Sequence, residues 1–420
     1  MESRYDYVLV GGGLACVWAA QTIREHDKQG KIVIIGGEPH PPYDRPPLSK
    51  NFLTNDEMSV DDPYSKFDDF YPKNQIELHT KTQVTKIDRN ARTVTLADGT
   101  TFQYEKLLIA TGARPRSLNV PGMNRIGVFL LRTIEDALQI RTALRGSQRA
   151  VIVGAGYLGM EVAASARERG LDVTVVEPQG HPWAKFASEK LGRWIQSYYE
   201  RNGIKFLLHD EAVAFEGDGE SGPVHIVRTK SGQQLPTDLV VVGVGVELNN
   251  ELAREAGLEI GDRGGIKVNE FLQTADPHIW AAGDVALFKD IALNKEWHAE
   301  HFLNAKWQGQ AVGAIMAGQN QPYNQIPYFF SDFLDLHMIL RGDPQGGKNS
   351  IFTGDTQAAE FTELYYDDTG RLRMGVSISH DEKKLDGISD TLERLIRAGV
   401  NVQGREGAIQ TPDFDLNSLT

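Results

Sequence analysis

The 420-residue chain contains a single cysteine, Cys16. One cysteine cannot form an intrachain disulfide, a redox-active CxxC pair or a cysteine-based zinc cluster. Long apolar runs are also missing, since no stretch approaches the roughly 18 residues that a membrane helix needs. The first residues, MESRYDYVLV, lack the basic start and the long apolar stretch of a signal peptide. We therefore expect no membrane insertion and, by default, a cytoplasmic location.

Basic residues are also fewer than acidic residues. The chain has 44 Lys and Arg residues against 57 Asp and Glu residues, which gives a net charge of −13. This balance disfavours nucleic acid and anionic membrane surfaces as partners. The length is sufficient for two or three domains.

The feature that organises the chain is a run of three glycines near its start, Gly11 to Gly13. An apolar run, Tyr7 to Val10, precedes them, and a small apolar segment that we predict to be helical follows. A second apolar run, Lys31 to Ile35, comes shortly before the acidic Glu38. This order of strand, glycine turn, helix, strand and acidic residue is the dinucleotide-binding fingerprint. The alternative is a buried strand followed by an ordinary turn.

Each part of this fingerprint has a chemical reason. Glycines let the backbone approach a pyrophosphate, and the helix that follows directs its N-terminal amides at that phosphate. Glu38 can accept hydrogen bonds from a ribose. Cys16 occupies the third glycine position, where its expected role is packing.

The same pattern occurs a second time. Ala150 to Val153 is a predicted strand, Gly154 to Gly159 is a complete GxGxxG, and Met160 to Arg169 is a predicted helix. Another predicted strand, Asp172 to Val176, leads to Glu177. Two such units indicate two bound dinucleotides. Glu177 favours NADH, because an NADP site would more often place an arginine nearby.

Four polar residues outside the fingerprints are candidates for ligand contacts. Arg45 and Lys50, in a proline-rich loop, could hold a phosphate or a flavin ring, or could be solvated loop charges. Glu161, which we place on the first turn of its helix, could bind a nicotinamide amide or stabilise the helix dipole. Asp284, in a predicted helix or turn after Gly283, could bind a sugar hydroxyl or simply belong to the turn.

The remaining pattern completes the fold prediction. Residues 102–104 and 106–110 are predicted as separate strands, and Ala305 to Met316 as a helix. From about residue 325 the pattern resembles a separate α+β domain with a closing helix at Ser389 to Ala398. Residues 403–420 show no clear pattern and are predicted to be a tail.

These motifs together carry a resemblance to a known family. The matching segments are Gly11 to Ala15, Tyr43 to Lys50, Ala110 to Gly112, Leu131 to Thr133, Gly154 to Glu161, Val242 to Gly245, Ala281 to Val285, Glu300 to Phe302, Gln308-Gly309 and Pro327 to Asp332. The chain resembles the FAD-dependent pyridine nucleotide-disulfide oxidoreductase superfamily. Within it, the resemblance is to NADH–ferredoxin reductases, monodehydroascorbate reductases and apoptosis-inducing factor.

The resemblance implies an α/β fold with two Rossmann-like domains and a C-terminal α+β domain. The FAD domain is expected to comprise residues 1–115 and 246–324, with the NAD domain, 116–245, inserted between them. The C-terminal domain is expected at 325–420, with the tail from about 403.

The resemblance also implies cofactor contacts. Gly11, Gly13 and Glu38 would hold the ADP half of FAD, and Val84 would meet its adenine through the backbone. Arg45, Lys50 and Arg132 would lie at the phosphates and the flavin, and Asp284 would bind the ribityl chain. The residues expected to hold NADH are Gly154, Gly156, Gly159, Glu161, Glu177 and Gly245. The other residues expected to bind a cofactor are Leu14, Ala15, Ala110, Thr111, Gly112, Tyr157, Leu158, Val244, Gly283, His301, Phe302 and Phe330. Lys50, paired with a carboxylate such as Glu161, is expected to tune the flavin, so both residues are expected to be catalytic, and no metal is expected.

The implied reaction passes a hydride from NADH to FAD. Since the chain cannot form a redox disulfide, electrons would then leave the flavin directly for an external acceptor. The first expectation for this acceptor is a ferredoxin. Phe302 and Phe330 stand where ferredoxin reductases tend to have tryptophan, and this favours a small oxidant such as monodehydroascorbate, a quinone or oxygen. A redox-sensing flavoprotein is the third alternative, and the oligomeric state is left open.

Overall fold

A computed structural model describes residues 3–66 and 69–419 of the chain. These residues form two compact units. Of the described residues, the first unit comprises 3–44, 61–66, 69–114 and 247–327, and the second comprises 45–60, 115–246 and 328–419. The first unit overlaps the segments predicted to bind FAD, except that residues 45–60 belong to the second unit. Which unit binds which cofactor stays a prediction.

The helices of the described residues are α1 (Leu14–His26), α2 (Asn51–Thr54), α3 (Phe70–Lys73), α4 (Ile134–Gly146), α5 (Tyr157–Glu168), α6 (Glu189–Arg201), α7 (Glu251–Glu255), α8 (Phe302–Met316), α9 (Glu382–Ala398) and α10 (Glu406–Ile409). Short 3₁₀ helices span Pro46–Ser49 and Leu416–Leu419. Each helix within 3–66 and 69–419 is too short or too polar to cross a membrane.

The strands are β1 (Ser3–Val10), β2 (Ile32–Ile35), β3 (Ile76–His79), β4 (Val84–Asp88), β5 (Thr93–Leu96), β6 (Thr101–Ile109), β7 (Ala113–Pro115), β8 (Val128–Phe129), β9 (Arg149–Val153), β10 (Asp172–Glu177), β11 (Ile204–Leu208), β12 (Ala212–Gly217), β13 (Val224–Thr229), β14 (Gln234–Pro236), β15 (Leu239–Val242), β16 (Val246–Leu248), β17 (Ile266–Val268), β18 (Ile279–Ala281), β19 (Ala286–Asp290), β20 (Lys295–Trp297), β21 (Tyr328–Phe333), β22 (Leu336–Gly342), β23 (Asn349–Asp355), β24 (Glu360–Tyr366) and β25 (Leu372–Ser379).

The first unit is built on a sheet in the order β3-β2-β1-β6-β5-β4, with β18 also paired to β6. The pairs β1–β2, β2–β3, β1–β6 and β6–β18 are parallel. The last four residues of β1, from Tyr7 to Val10, are all buried because both faces of this central strand are covered. The carboxyl end of β1, where the first glycine run begins, therefore lies at the middle of the sheet.

One predicted strand boundary in this sheet is wrong. Residues 102–104 and 106–110 were expected as separate strands, but residues 102–109 all belong to the single strand β6, which ends one residue before Ala110. Its parallel register with β1 runs from Ser3 opposite Phe102 to Val10 opposite Ile109. A long partner strand thus keeps β6 extended through Glu105, where the local pattern suggests a break.

The second unit contains a parallel sheet in the order β11-β10-β9-β15-β8. Helix α4 begins at a capping box, in which the Thr133 side chain accepts from the Asp136 amide and the Asp136 carboxylate accepts from the Thr133 amide. With its parallel sheets and intervening helices, each unit confirms the predicted α/β class.

An antiparallel sheet, β21-β22-β25-β24-β23, closes the second unit. Helix α9 packs on β22 and β25 and is seven residues longer than the predicted helix, because the Asp381 side chain caps its N-terminus at the amides of Lys383 and Lys384. Residues 403–419, expected to be a tail, are folded: Ile409, Leu416 and Leu419 are buried, and the Thr353 hydroxyl donates to the Thr411 carbonyl at 3.2 Å.

Candidate cofactor-binding sites

The first glycine run forms an open backbone loop in the first unit. Gly11 has a φ of +141°, and a Cβ there would lie 2.2 Å from the Ala110 carbonyl oxygen, so only glycine fits. Gly13 is the N-cap of α1, and a Cβ at that position would meet no protein atom within 4 Å. The open space faces helix amides without intrahelical partners, and this fits the pyrophosphate of FAD. Leu14 and Ala15 are the first two residues of this helix.

Cys16 lies directly beneath this loop. It is fully buried, and a Cβ added at Gly11 would lie 3.3 Å from its Sγ. Burial raises the pKa of the Cys16 thiol well above its ordinary value, so the thiol stays protonated and unreactive. The expected packing role of Cys16 agrees with this environment.

Glu38 and Val84, both expected at the ADP half of FAD, lie in two segments of the first unit that a backbone hydrogen bond connects. Glu38 follows β2, is partly exposed, and accepts a hydrogen bond from the Tyr43 hydroxyl. Val84 begins β4 and is buried. The Thr82 amide donates to the Gly36 carbonyl at 2.9 Å, which joins the two segments.

The remaining first-unit candidates surround the start of α1. Thr111 follows Ala110 at the end of β6 and donates to the Asn249 carbonyl at 2.6 Å, and Gly112 comes next. Gly283 lies close to Ala15, since a Cβ there would be 3.5 Å from the Ala15 Cβ. Asp284 sits in a turn that leads into strand β19. Of the two predicted conformations, helix and turn, the turn is therefore confirmed and the helix is wrong.

Helix α8 starts earlier than predicted and contributes two of the expected residues. His301 is its N-cap and accepts from the Leu303 amide through Nδ1, and Phe302 is its first residue. Gln308, further along the helix, accepts from the Gly283 amide at 2.9 Å. The Gln308 Nε2 atom is buried and has no hydrogen-bond partner among the described residues.

The second glycine run repeats this geometry in the second unit. Gly154 has a φ of +104°, and a Cβ there would lie 2.5 Å from the Gly243 carbonyl oxygen. Gly156 is the N-cap of α5 and is open, as is Gly245, which follows Val244. Tyr157, Leu158 and Gly159 form the first turn of α5. The loop fits the pyrophosphate of NADH by the same argument.

Glu177 ends β10 and reaches back over this loop. Its Oε2 accepts from the Ala155 amide at 2.7 Å, and its Oε1 accepts from the Gln179 amide at 2.9 Å. These bonds hold the carboxylate at the edge of the loop, which fits the expected contact with a ribose.

Glu161 does not occupy the first turn of its helix. Helix α5 begins at Tyr157, so Glu161 is its fifth residue. It lies beyond the first turn, where the alternative interpretation, stabilisation of the helix dipole, would place it. Instead, Glu161 is buried and its Oε1 lies 2.9 Å from Lys50 Nζ. The pairing with Lys50 that the sequence suggested is therefore present.

Two serine hydroxyls complete the surroundings of this carboxylate. Ser49, next to Lys50, donates to Glu161 Oε2 at 2.5 Å, and Ser331 on β21 donates to Oε1 at 2.6 Å. Both serines are buried. Sequence reasoning assigned no role to either one, although both lie within the segments that carry the resemblance. We call Ser49, Lys50, Glu161 and Ser331 the Glu161 cluster.

An aromatic ring lies near the Glu161 cluster, and two of the predicted arginines contact each other elsewhere in the second unit. The Lys50 Nζ lies 5.5 Å from the Phe330 ring centroid, and Tyr157 stacks on Phe329 with centroids 5.9 Å apart. Arg45 donates to the Arg132 carbonyl, so the structure brings these two predicted residues together.

Tyr157 also stacks on Phe186, with ring centroids 4.6 Å apart, and the sequence analysis did not predict this contact.

Comparison with known proteins defines the class. A family model described as "Pyridine nucleotide-disulphide oxidoreductase" matches residues 5–318. The chain belongs to this family. Its members are oxidoreductases, and membership implies FAD and NAD(H) as cofactors, as predicted.

Individual relatives cover almost the whole chain. Rhodocoxin reductase of Rhodococcus erythropolis is 35% identical over 359 residues, 84% of this chain and 82% of the relative. Rubredoxin-NAD(+) reductase of Pseudomonas putida is 32% identical over 403 residues, 96% of this chain and 97% of the relative. Among solved structures, the covalent putidaredoxin reductase–putidaredoxin complex matches with a TM-score of 0.91 and 29% identity, covering 100% of this chain and 98% of that chain.

Proposed function

We propose that this protein is an NADH-dependent FAD reductase that passes electrons to a ferredoxin-type iron–sulfur protein. The observation that carries the proposal is the state of Cys16, the only cysteine in the sequence and a fully buried one. A family member of this kind has no dithiol to receive electrons, so they must leave for an acceptor outside the chain. The relatives named as reductases of rhodocoxin, rubredoxin and putidaredoxin support an iron–sulfur acceptor.

The residues have distinct proposed roles. Gly11, Gly13 and Glu38 bind the ADP half of FAD, while Gly154, Gly156 and Glu177 bind NADH. When FAD is bound, it supplies the group that accepts the hydride and that afterwards donates electrons to the acceptor outside the chain. The Glu161 cluster keeps a lysine ammonium and a carboxylate in fixed positions, because three donors hold the carboxylate.

A second candidate function is the reduction of a small oxidant such as monodehydroascorbate or a quinone. Phe302 and Phe330 favour it, because a phenylalanine ring offers a stacking face but no indole N–H at either position. The cytoplasmic location expected from the sequence stays a prediction.

Anaerobic reduction tests the proposal. The purified yellow protein is reduced with NADH, and candidate acceptors are added one at a time while flavin reoxidation is followed. Fast reoxidation by a ferredoxin, with small oxidants slower, is the expected result. Fast reoxidation by small oxidants alone would favour the second function, and a protein without flavin would overturn both.

A further inference from the structure

A histidine ring lies against a glycine at the carboxyl edge of the parallel sheet in the second unit. A Cβ added at Gly180 would lie 3.0 Å from His209 Cε1 and 3.3 Å from His209 Nε2, so the imidazole packs directly on the Gly180 backbone. The φ of Gly180 is not left-handed, so it is the space taken by the imidazole, and not the backbone, that calls for glycine here. We call these two residues the Gly180–His209 pair.

The backbone at His209 is held on both sides. The His209 amide donates to the Gln179 carbonyl at 3.2 Å, and the next residue, Asp210, accepts from the Ser231 amide at 3.0 Å. His209 itself has a φ of +58°, a left-handed conformation that costs energy in residues other than glycine and persists only where neighbouring contacts impose it. The side chain of His209 is nevertheless exposed, so a fixed backbone presents this ring to solvent.

The pair lies beside the carboxylate that we propose to contact the ribose of NADH. In the parallel register of β10 and β11, Glu177 lies opposite Leu208, and His209 follows Leu208 directly. Neighbouring strands are roughly 4.8 Å apart. Glu177 also accepts from the Gln179 amide at 2.9 Å, so the segment that carries Gly180 starts at the same carboxylate.

The order of the strands gives a direction to the nucleotide. Strands β9, β10 and β11 are consecutive neighbours in the sheet. The second glycine loop follows β9, Glu177 ends β10, and His209 follows β11. A pyrophosphate at the glycine loop and a ribose at Glu177 therefore lie along a line that leads towards β11. The base attached to that ribose would meet the Gly180–His209 pair next.

We propose that His209, supported by Gly180, binds the adenine ring of NADH by stacking. This inference rests on the NADH site of the proposed function. Histidine is one of the side chains on whose flat faces nucleobases stack. Because adenine and nicotinamide are at opposite ends of the dinucleotide, the contact should contribute to the affinity for NADH and not to the rate of hydride transfer.

Anaerobic stopped-flow reduction of the flavin-loaded protein tests the inference. His209→Asn removes the ring and suits the left-handed backbone, since asparagine tolerates positive φ. It should raise the dissociation constant for NADH about tenfold, which corresponds to about 1.4 kcal/mol, and leave the limiting rate of flavin reduction within about twofold. Reduced nicotinamide mononucleotide, which has no adenosine, should reduce the parent and the variant at the same rate.

Two further variants serve as controls. His225→Asn makes the same replacement at an exposed histidine of β13 and should leave the dissociation constant for NADH unchanged. Gly180→Ala places a Cβ against the imidazole and should weaken NADH binding several-fold. It should add little in the His209→Asn background, because the ring that it displaces is already absent. Additive losses would overturn the paired arrangement.

The other outcomes separate this inference from the proposed function. Equal losses with NADH and with the mononucleotide would show that His209 only supports the fold of the loop, and would overturn adenine binding, as would an unchanged dissociation constant for NADH. A parent protein that NADH reduces but that donates to no iron–sulfur protein would overturn the proposed acceptor and leave the adenine contact standing. A parent whose flavin NADH does not reduce would overturn both.

Discussion

The Ser331 hydroxyl donates a 2.6 Å hydrogen bond to Glu161 Oε1, the same oxygen that faces Lys50 Nζ at 2.9 Å. Ser331 comes from β21 of the antiparallel sheet, and Glu161 from the helix that follows the second glycine loop. One carboxylate oxygen therefore joins the proposed NADH-binding segment to the last sheet of the chain.

Replacement of Ser331 by alanine should destabilise the second unit. A hydrogen bond to a buried charged group contributes about 1.5–3 kcal/mol, so Ser331→Ala should lower the free energy of unfolding by about that amount. Urea unfolding measures it. Ser377→Ala is the control, because among the described residues the Ser377 hydroxyl pairs with the neutral Thr362 hydroxyl at 2.8 Å, and its loss should cost about 1 kcal/mol. Equal losses would contradict the special role of Ser331.

The Lys50–Glu161 pair should show strong coupling. Lys50→Met leaves a largely buried carboxylate without its cation and should cost about 3 kcal/mol of unfolding free energy. The double variant Lys50→Met/Glu161→Leu removes both charges and should recover at least half of this loss. A double-mutant cycle measures the coupling, and additive losses would show that the two charges act independently.

Glu177 should control the preference between the two nicotinamide cofactors. Glu177→Ala should raise the KM for NADH about tenfold, which corresponds to the loss of one good hydrogen bond, and should change the KM for NADPH much less. Asp172→Ala, at the exposed opposite end of β10, is the control and should leave both values unchanged. Unaltered NADH kinetics in Glu177→Ala would remove this residue from the site.

A substitution at Gly13 should weaken FAD binding without a large change in the stability of the flavin-free protein. A Cβ at Gly13 meets no protein atom within 4 Å, so Gly13→Ala should change the stability of the flavin-free protein by less than about 1 kcal/mol. It should nevertheless lower the amount of FAD that copurifies, because the methyl group fills the space proposed for the pyrophosphate. Gly146→Ala, also at an open position, should retain its flavin. Normal flavin content in Gly13→Ala would place the phosphate elsewhere.

Cys16 should be dispensable for electron transfer. Cys16→Ala removes one buried sulfur atom and should cost about 1 kcal/mol of stability. Turnover with an external acceptor should persist, because the thiol is buried and not positioned to carry electrons. Loss of acceptor reduction in a variant that retains its flavin would place a thiol on the electron path.

Local sequence was sufficient to predict the two glycine loops. Gly11 and Gly154 follow short buried strands and precede helices, and each of these elements is encoded by its own neighbours in sequence. The acidic residues are predicted for the same reason, since Glu38 follows β2 by three residues and Glu177 is the last residue of β10. The fold class follows from this repeated strand–helix–strand order.

Distant contacts account for what the sequence did not reveal. Ser331 reaches Glu161 across 170 residues, so no local pattern points to the bond. Strand β6 continues past Glu105 because β1 pairs along its length. Residues 403–419 fold because α10, which contains Ile409, packs on β23, and the 3₁₀ helix that contains Leu416 packs on α9, although these residues have no periodicity of their own.

The contact between α1 and α8 has a consequence for the order in which the chain folds during synthesis. Cβ atoms at Gly309 and Gly313 would lie only 2.5 Å from the carbonyl oxygens of Ala15 and Ala19, so the two helix backbones pack directly on each other. The helix after the first glycine loop gains this support only when residue 313 has emerged from the ribosome. Residues 149–208, which hold the central β9–α5–β10–β11 segment of the second unit, leave the ribosome earlier, so the second glycine loop can form before the support of the first glycine loop is complete.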